Sequence, residues 1–209
     1  PQRAVSSQGT DQPRFIPIPR YKLSRMAEAV DRIATVVEHM RQYWTVPHNP
    51  TKAYGDLAEA VRNATELLRQ QLADHGVRLS TDLPMGATHV PSSTINLEQI
   101  VVNLLGNGIH ALDTVPDRSR ELRLSVTVET EEVHMTVDDN GPGIDPADYD
   151  RVFDPFYSSK APREGMGLGL AIVRTFVERA GGTIRAGTNE DGGASFHVTF
   201  PRVQLEKLR

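Results

Sequence analysis

A strict alternation of apolar and polar residues runs along EVHMTVDD (132–139), just before a glycine-rich turn. Val133, Met135 and Val137 are apolar, and the residues between them are polar. This period of two predicts a β-strand with one face against a core. The same count places Asp139 on the apolar face. Because burying a carboxylate is costly without hydrogen-bond donors, either the protein or a ligand must supply partners for Asp139.

Four further segments have the pattern of strands. LRLSVTVET (122–130) alternates in the same way and is predicted to pair with 132–139 as a hairpin across Glu131. VRLSTDL (77–83) also has a strand pattern, and two closing strands, TIRAGT and ASFHVTF, flank the turn NEDGG (189–193). The sequence therefore predicts a sheet that looks antiparallel.

Three segments have the periodicity of helices: 56–75, 97–112 and 168–180. The first keeps helical spacing through its apolar residues, and Gly76 is positioned to end it. Helices combined with an antiparallel-looking sheet predict the α+β class, as a two-layer sandwich.

The first quarter of the chain has a different composition. Residues 1–20 are rich in Ser, Gln and Pro and predict a flexible linker. Residues 21–45 then repeat apolar residues at alternating spacings of three and four, which is the heptad seam of a helix that packs lengthwise against other helices. A single amphipathic surface helix is the plainer alternative, whereas three heptads favour a helical hairpin or a dimer. The seam consists of Leu23, Met26, Val30, Ile33, Val37, Met40 and Trp44.

Two prolines, Pro47 and Pro50, interrupt this helix and predict a short hinge. We therefore expect the linker, then a helix with its hinge at 21–49, a folded domain at 50–203 and a tail at 204–209.

Composition narrows the class of protein. The 209 residues are enough for one good core, and 38% hydrophobic with 24% charged residues are typical of a soluble globular protein. The formal net charge of −4 gives no reason to expect nucleic acid or an anionic membrane as a partner. The chain has no cysteine, which excludes disulfides and fits a cytoplasmic location. No apolar run approaches the roughly 20 residues of a membrane-spanning helix, so we expect no membrane segment in this chain.

The helix predicted at 97–112 carries a polar stripe beside its apolar one. Asn103 and Asn107 lie one turn apart on this stripe, although asparagine is a mediocre helix former. An amide oxygen is a neutral, hard ligand that suits Mg²⁺, which also takes oxygens from substrate phosphates. A solvated helix face explains the same residues equally well, so the pair alone leaves both interpretations open.

The segment GMGLGL (165–170) places three alternate glycines at the start of the third predicted helix. Glycine lets backbone N–H groups approach a ligand closely, and a helix N-terminus favours anions. This segment is therefore a candidate phosphate-binding loop, although loops are often rich in glycine.

A long irregular segment, 144–165, precedes this loop, and its length favours a lid or disorder. We expect Phe153, Phe156 and Tyr157 to anchor it by burial. Two cations in the same segment, Lys160 and Arg163, either reach phosphates or are ordinary solvated charges.

Four motifs in this order resemble the N, G1, F and G2 boxes of sensor histidine kinases: NLLGN (103–107), DNGPG (139–143), FDPFY (153–157) and GMGLGL (165–170). These kinases share the Bergerat ATP-binding fold with gyrase, a heat-shock chaperone and MutL. The resemblance covers about residues 54–201. The heptad helix also looks like the second helix of the family's dimerisation and phosphoacceptor hairpin.

The resemblance implies a mixed, largely antiparallel sheet covered by helices, with ATP and Mg²⁺ as cofactors. It also implies a homodimer through the 21–45 helix and a response-regulator receiver domain as a partner in trans. Asp139 would accept a hydrogen bond from the adenine 6-amino group, Asn107 would bind Mg²⁺, and 144–165 would be the ATP lid.

The resemblance gives two sets of site residues. The catalytic residues that it implies are Asn103, Asn107, His110 and Lys160. The nucleotide-binding residues that it implies are Asn103, Asn107, His110, Asp139, Gly141, Gly143, Ile144, Phe153, Tyr157, Lys160, Arg163, Gly165, Met166, Gly167, Leu168 and Gly169.

The sequence departs from the family pattern at several positions. His110 stands where many members carry Lys or Arg toward the phosphates, which makes that contact weaker or dependent on pH. Gly108 replaces the usual alanine, at a cost of about 1 kcal/mol in helix propensity. Met166 stands where threonine is common and removes a hydroxyl contact.

The phosphoacceptor is the largest departure. In the family the acceptor histidine is followed by Glu or Asp, with a proline a few residues later, and no histidine here fits. His39 is followed by Met40 and falls at an outward heptad position, so we interpret it as a solvated side chain. We therefore expect the acceptor helix to be missing from this chain, either because it lies upstream or because it was never present.

The leading interpretation is the ATP-binding catalytic region of a two-component histidine kinase, which passes the γ-phosphoryl group to a histidine elsewhere for relay to a response-regulator aspartate. ATP hydrolases of the gyrase or MutL type have a glutamate where this chain has Asn103, and an amide cannot act as a general base. An anti-sigma serine kinase shares the fold, but the heptad helix and the F box argue against it. A nucleotide-binding pseudokinase that dimerises and docks a partner is the non-enzyme alternative.

Overall fold

The computed structural model describes residues 54–115, 119–157 and 167–204. The helices of this part are α1 (Leu57–Asp74), α2 (Thr94–Leu112) and α3 (Gly169–Arg179). Its strands are β1 (Gly55–Asp56), β2 (Val77–Asp82), β3 (His89–Val90), β4 (Arg120–Val128), β5 (Glu132–Asp139), β6 (Thr183–Thr188) and β7 (Ala194–Pro201). Two short 3₁₀ turns, Pro146–Asp148 and Arg151–Phe153, follow β5.

Five strands form one sheet in the order β2-β4-β5-β7-β6. β2 runs parallel to β4, and every other neighbouring pair is antiparallel. The predicted mixed, largely antiparallel sheet is therefore confirmed. β1 and β3 form a separate two-stranded sheet that we did not predict, because strands of two residues carry no detectable period.

The predicted hairpin is the central pair of the sheet, β4 and β5. Val128 pairs with Val133 at the turn, and Leu122 pairs with Asp139 at the far end. Every second residue of β5 is buried, as is every second residue over 122–126 in β4, and this inward set includes Asp139, as the alternation predicted. Asp139 thus ends an otherwise apolar row of β5.

The three helices supply the second layer of the sandwich. α2 contacts both α1 and α3, and all three helices contribute buried residues to the core. Apolar burial of this kind is the main favourable term in folding. The largest fully buried side chains are Phe200, Leu57, Leu97, Ile100, Leu104, Leu105, Ile109, Leu112, Leu122, Leu124, Met135 and Ile172.

Helix ends follow local capping chemistry. The Asp56 side chain caps α1 by accepting from the Glu59 N–H at 3.0 Å, and Gly76, with φ of +63°, follows the C-terminal end of α1. α2 begins at Thr94, earlier than the predicted position 97, because the Ser93 hydroxyl accepts from the Asn96 N–H at 3.3 Å. Apolar periodicity did not reveal this first turn.

Several predictions concern residues outside the described ranges. These are the linker, the heptad helix and the proline hinge at 1–49, and most of the tail at 204–209. In the part of the chain that the structure describes, no helix combines the length and the apolar character needed to cross a membrane.

Candidate functional site

The two asparagines of α2 face the N-terminal end of α3. Asn103 and Asn107 are half-buried, and Gly169 is the first residue of α3. A methyl group placed on Gly169 would lie 3.8 Å from Asn107 Nδ2 and 3.9 Å from Asn103 Oδ1. The first N–H groups of a helix have no partner within the helix and favour anions. Two amide side chains and an anion-attracting helix end therefore meet at one place.

Asn103 has a donor that the protein does not satisfy. Its Oδ1 accepts a hydrogen bond from Gln99 Nε2 at 3.2 Å. Its Nδ2 is shielded from solvent and has no hydrogen-bond partner among the described residues. A buried polar atom without a partner is costly, so this donor fits a ligand oxygen that enters the space between α2 and α3.

Asp139 ends β5 and is only 6% exposed. Its Oδ1 accepts hydrogen bonds from the Gly141 N–H at 2.9 Å and the Ala194 N–H at 3.1 Å. The protein itself therefore supplies donors for the carboxylate, which answers the question that the alternation of β5 raised. These two bonds from backbone N–H groups fix the orientation of the carboxylate.

The loop after β5 lies against the same helix as the start of α3. A methyl group on Gly141 would lie 3.5 Å from Ala111 Cβ. Ala111 follows Asn107 by one helical turn. Asp139, Gly141, Asn107 and the first residue of α3 are therefore gathered along one side of α2. Gly143 and Ile144 continue this loop, and Ile144 packs against the core.

The described part of the predicted lid, 144–157, is held at its base. Phe153 is buried, and the Arg174 guanidinium of α3 lies 4.6 Å from the centre of its ring. The Phe156 N–H donates to the Gly167 carbonyl at 2.9 Å. This bond ties the described part of the lid to the residue two positions before α3, and Leu168 lies between Gly167 and the helix.

The prediction that burial of Phe156 anchors this segment is wrong. Phe156 is 69% exposed and has a positive φ of 66°. The chain reverses direction there, which leaves this side chain at the surface. Tyr157 is only half-buried, and polar contacts hold it instead. A hydrogen bond with Asp148 raises the pKa of Tyr157, and the Arg151 guanidinium lies 5.0 Å from the centre of its ring.

His110 lies on the exposed side of α2. Its Nδ1 is 2.6 Å from the Gly106 carbonyl oxygen, and its ring lies edge-on to His75 at 6.4 Å. No described contact joins it to Asn103 or Asn107. Four other predicted site residues, Lys160, Arg163, Gly165 and Met166, are outside the described ranges.

Sequence reasoning missed the part of the site contributed by the turn after β6 and by the start of β7. Ala194, the first residue of β7, donates its N–H to the Asp139 carboxylate, and Asn189 donates to the Asp139 carbonyl at 2.7 Å. The turn NEDGG was predicted as a connection only. An asparagine in a turn is so common that it gave no signal of a contact 50 positions away.

The family described as "Histidine kinase-, DNA gyrase B-, and HSP90-like ATPase" matches residues 92–204, more than half of the chain. This chain belongs to that family. It has the ATP-binding catalytic domain of a histidine kinase, so the resemblance of its four motifs is confirmed.

A curated relative extends the likeness beyond the family match. The C4-dicarboxylate transport sensor protein DctS of Rhodobacter capsulatus is 31% identical over 182 residues, which cover 87% of this chain and 27% of DctS. The chain therefore spans about a quarter of the length of this relative.

Two solved structures are similar in fold. Full-length ShkA in complex with AMPPNP has a TM-score of 0.72 and 22% identity, with 88% of this chain and 39% of that chain covered. Histidine kinase ThkA in complex with the response regulator protein TrrA has a TM-score of 0.67 and 19% identity, with 93% of this chain and 53% of that chain covered. At these identities the likeness establishes the α+β sandwich and no finer property.

Proposed function

We propose that this chain binds Mg-ATP and transfers the γ-phosphoryl group to a histidine that it does not contain, for relay to a response-regulator aspartate. The observation that carries this proposal is the convergence of Asn103, Asn107 and the N-terminus of α3, with Asp139 held further along the same side of α2. The asparagines and the N-terminus of α3 offer hydrogen-bond donors for phosphates. Asp139 offers an oriented carboxylate for the adenine base.

The proposed mechanism relies on positioning and charge. The backbone N–H groups at the start of α3 would bind phosphate oxygens, and the shielded Asn103 Nδ2 would donate to one of them. The amide oxygen of Asn107 fits a magnesium ligand, and Mg²⁺ would neutralise charge that develops on the phosphates. Lys160 and Arg163 would add cations from the lid. Holding the γ-phosphoryl group in line with an incoming imidazole then supplies most of the rate enhancement.

Adenine recognition is proposed for Asp139, whose carboxylate would accept a hydrogen bond from the 6-amino group. Gly141 and Gly143 would let the backbone pass close to the base. Phe153 and Tyr157 would anchor the lid, and Gly165, Met166, Gly167 and Leu168 would form the loop beside the phosphates.

Partners follow from the type of protein. We propose a homodimer through the 21–45 helix and a receiver domain in trans, and the ThkA complex with its response regulator supports the second assignment. A cytoplasmic location is consistent with the homodimer and with the receiver domain as partner.

The nucleotide-binding pseudokinase is the second candidate. His110, exposed and bonded to its own helix, replaces a cation that the family directs at the phosphates. If that cation is essential for transfer, the domain would bind ATP without turnover. A hydrolase is disfavoured because the Asn103 amide cannot take a proton from water.

The proposal is tested by replacing Asp139 with Asn and measuring ADP binding by titration calorimetry. Loss of a hydrogen bond to a charged group costs about 1.5–3 kcal/mol, so the affinity should fall at least about tenfold. Asp138→Asn is the matched control, because this neighbouring acid lies on the opposite face of β5. An unchanged affinity in Asp139→Asn would refute the assignment of the base-binding residue.

A further inference from the structure

The turn between β6 and β7, Asn189–Gly193, is bonded to the main chain of Asp139. Asn189 Nδ2 donates to the Asp139 carbonyl oxygen at 2.7 Å and to the Ala194 carbonyl oxygen at 3.2 Å. Asn189 Oδ1 accepts from the N–H groups of Asp191 at 3.1 Å and Gly193 at 3.0 Å. One amide side chain therefore closes its own turn and ties it to the end of β5.

The residue that follows this turn is bonded to the side chain of Asp139. The Ala194 N–H donates to Asp139 Oδ1 at 3.1 Å, beside the shorter bond from Gly141. Asn189 holds the carbonyl of Ala194, while the N–H of Ala194 holds the carboxylate. Because the Ala194 carbonyl and N–H belong to the same residue, a shift of the Asn189 side chain displaces one of the two N–H donors that orient the carboxylate.

The glycines of this turn and of the 139–143 loop pack closely against each other. A methyl group on Gly193 would collide with the Asp139 carbonyl oxygen, and a methyl group on Gly143 would meet the Gly192 carbonyl oxygen at 2.5 Å. The turn thus contacts both ends of the 139–143 loop. Interiors this dense transmit small displacements rather than absorb them.

We propose that Asn189 is a positioning residue for purine selection: it holds the Asp139 carboxylate in the direction that accepts a 6-amino group. This inference rests on the proposed function, since it assumes that Asp139 contacts the base. The ligand class that it selects is 6-aminopurine nucleotides over 6-oxopurine nucleotides, because a 6-oxo group presents an acceptor to the carboxylate. Two acceptors repel each other without a shared proton.

The test compares ADP and IDP by titration calorimetry on the folded chain. Asn189→Ala should weaken ADP binding about fivefold or more, because the charge-assisted contact of Asp139 with the base is misaligned but not removed, and should leave IDP binding within about twofold. The ratio of the dissociation constant of IDP to that of ADP should therefore fall toward one. If ADP and IDP weaken equally, Asn189 is structural only and the inference is overturned.

A second variant, Asn189→Asp, separates two roles of this side chain: accepting hydrogen bonds within the turn and donating to the Asp139 carbonyl. It keeps oxygens for the N–H groups of Asp191 and Gly193 but turns an acceptor toward the Asp139 carbonyl. We expect the same loss of selectivity as in Asn189→Ala, and this variant carries the test if the alanine variant does not fold. A selectivity equal to that of the unmodified chain would overturn the inference.

Two further variants make the outcomes distinguishable. Thr88→Val is a control for stability, because the fully buried Thr88 hydroxyl bonds Asp56 at 2.7 Å and the Ala58 N–H at 2.8 Å, and no described contact joins it to Asp139. Thr88→Val should lower the melting temperature and leave the ratio of the IDP and ADP dissociation constants unchanged. If Asp139→Asn lowers the ratio and Asn189→Ala does not, the inference fails while the proposed function stands. If neither variant lowers the ratio, the inference fails together with the assignment of Asp139 as the base-binding residue.

Discussion

Asn107 is the residue on which the proposed metal dependence rests. Replacing it with Ala should weaken Mg-ATP more than metal-free ADP, because only the former uses the amide oxygen as a metal ligand. Titration calorimetry with and without Mg²⁺ gives the comparison. Asn63→Ala is a control on α1, where the exposed amide donates to the half-buried Glu98 carboxylate at 2.6 Å. Equal losses for both nucleotides would mean that Asn107 supports the structure and not the metal.

Asp56 shows how one capping residue couples stability to pH. Burial alone would raise the pKa of Asp56, but hydrogen bonds from the Glu59 N–H and from the hydroxyl and N–H of Thr88 outweigh it, and its pKa lies below the ordinary value. A lowered pKa in the folded state means that the stabilisation is full above the unfolded value of about 3.9 and is lost as pH falls through the folded value.

We therefore expect Asp56→Ala to lower the free energy of unfolding by about 1 kcal/mol at pH 7. The difference from the unmodified chain should begin to shrink below about pH 3.9, where the unfolded chain takes up the proton, and should disappear once pH falls below the lower pKa of the folded carboxylate. Urea unfolding of both chains at pH 7 and at about pH 3 measures this difference in the free energy of unfolding. Asp56→Asn keeps a good N-cap without the charge and should lose less. A difference that stays constant down to pH 3 would contradict this role of the carboxylate.

At the scale of elements, the lid is the segment expected to respond to nucleotide. Residues 144–157 contain two 3₁₀ turns, and Phe153 is their one fully buried aromatic residue. Segments with few buried apolar contacts open at low free-energy cost. Hydrogen exchange across 144–157 should therefore slow when ATP is bound, while exchange in α1 stays the same. Identical rates in the lid with and without ATP would argue against its role.

Helices and strands were predictable from the sequence wherever the apolar–polar periodicity extended over enough residues to be recognised. The alternation of β5 placed Asp139 inward correctly, since one face of the strand is buried throughout. The same reasoning failed for Phe156, because a turn has no period that fixes which side faces the core. Gly108 shows another limit: a methyl group there would meet Leu122 Cδ2 at 2.5 Å. The sequence showed a cost in helix propensity, but the close approach of β4 appears only in three dimensions.

At the scale of the whole molecule, the site depends on contacts between distant parts of the sequence. α2 contributes Asn107 and Ala111, and these residues meet the start of α3 and the loop after β5. The order of the four motifs predicted this assembly because the resemblance supplied the fold. The bonds from Asn189 and Ala194 to Asp139 had no motif, so they could not be predicted without the pairing of β5 with β7.

The final prediction concerns the chain as a unit: it should bind ATP and yet remain unlabelled when incubated with radiolabelled ATP. Phosphoryl transfer requires an imidazole aligned with the γ-phosphate and an acidic neighbour that accepts its proton. Two described histidines lie beside acids. His75 Nδ1 is 2.8 Å from Asp113 Oδ2, where the pair joins the ends of α1 and α2, and His134 Nε2 is 3.5 Å from Glu132 Oε2 within strand β5. His39 lacks the adjacent acid of the family pattern. Acid-labile labelling that disappears in His39→Ala or His75→Ala would overturn the view that the acceptor lies outside this chain.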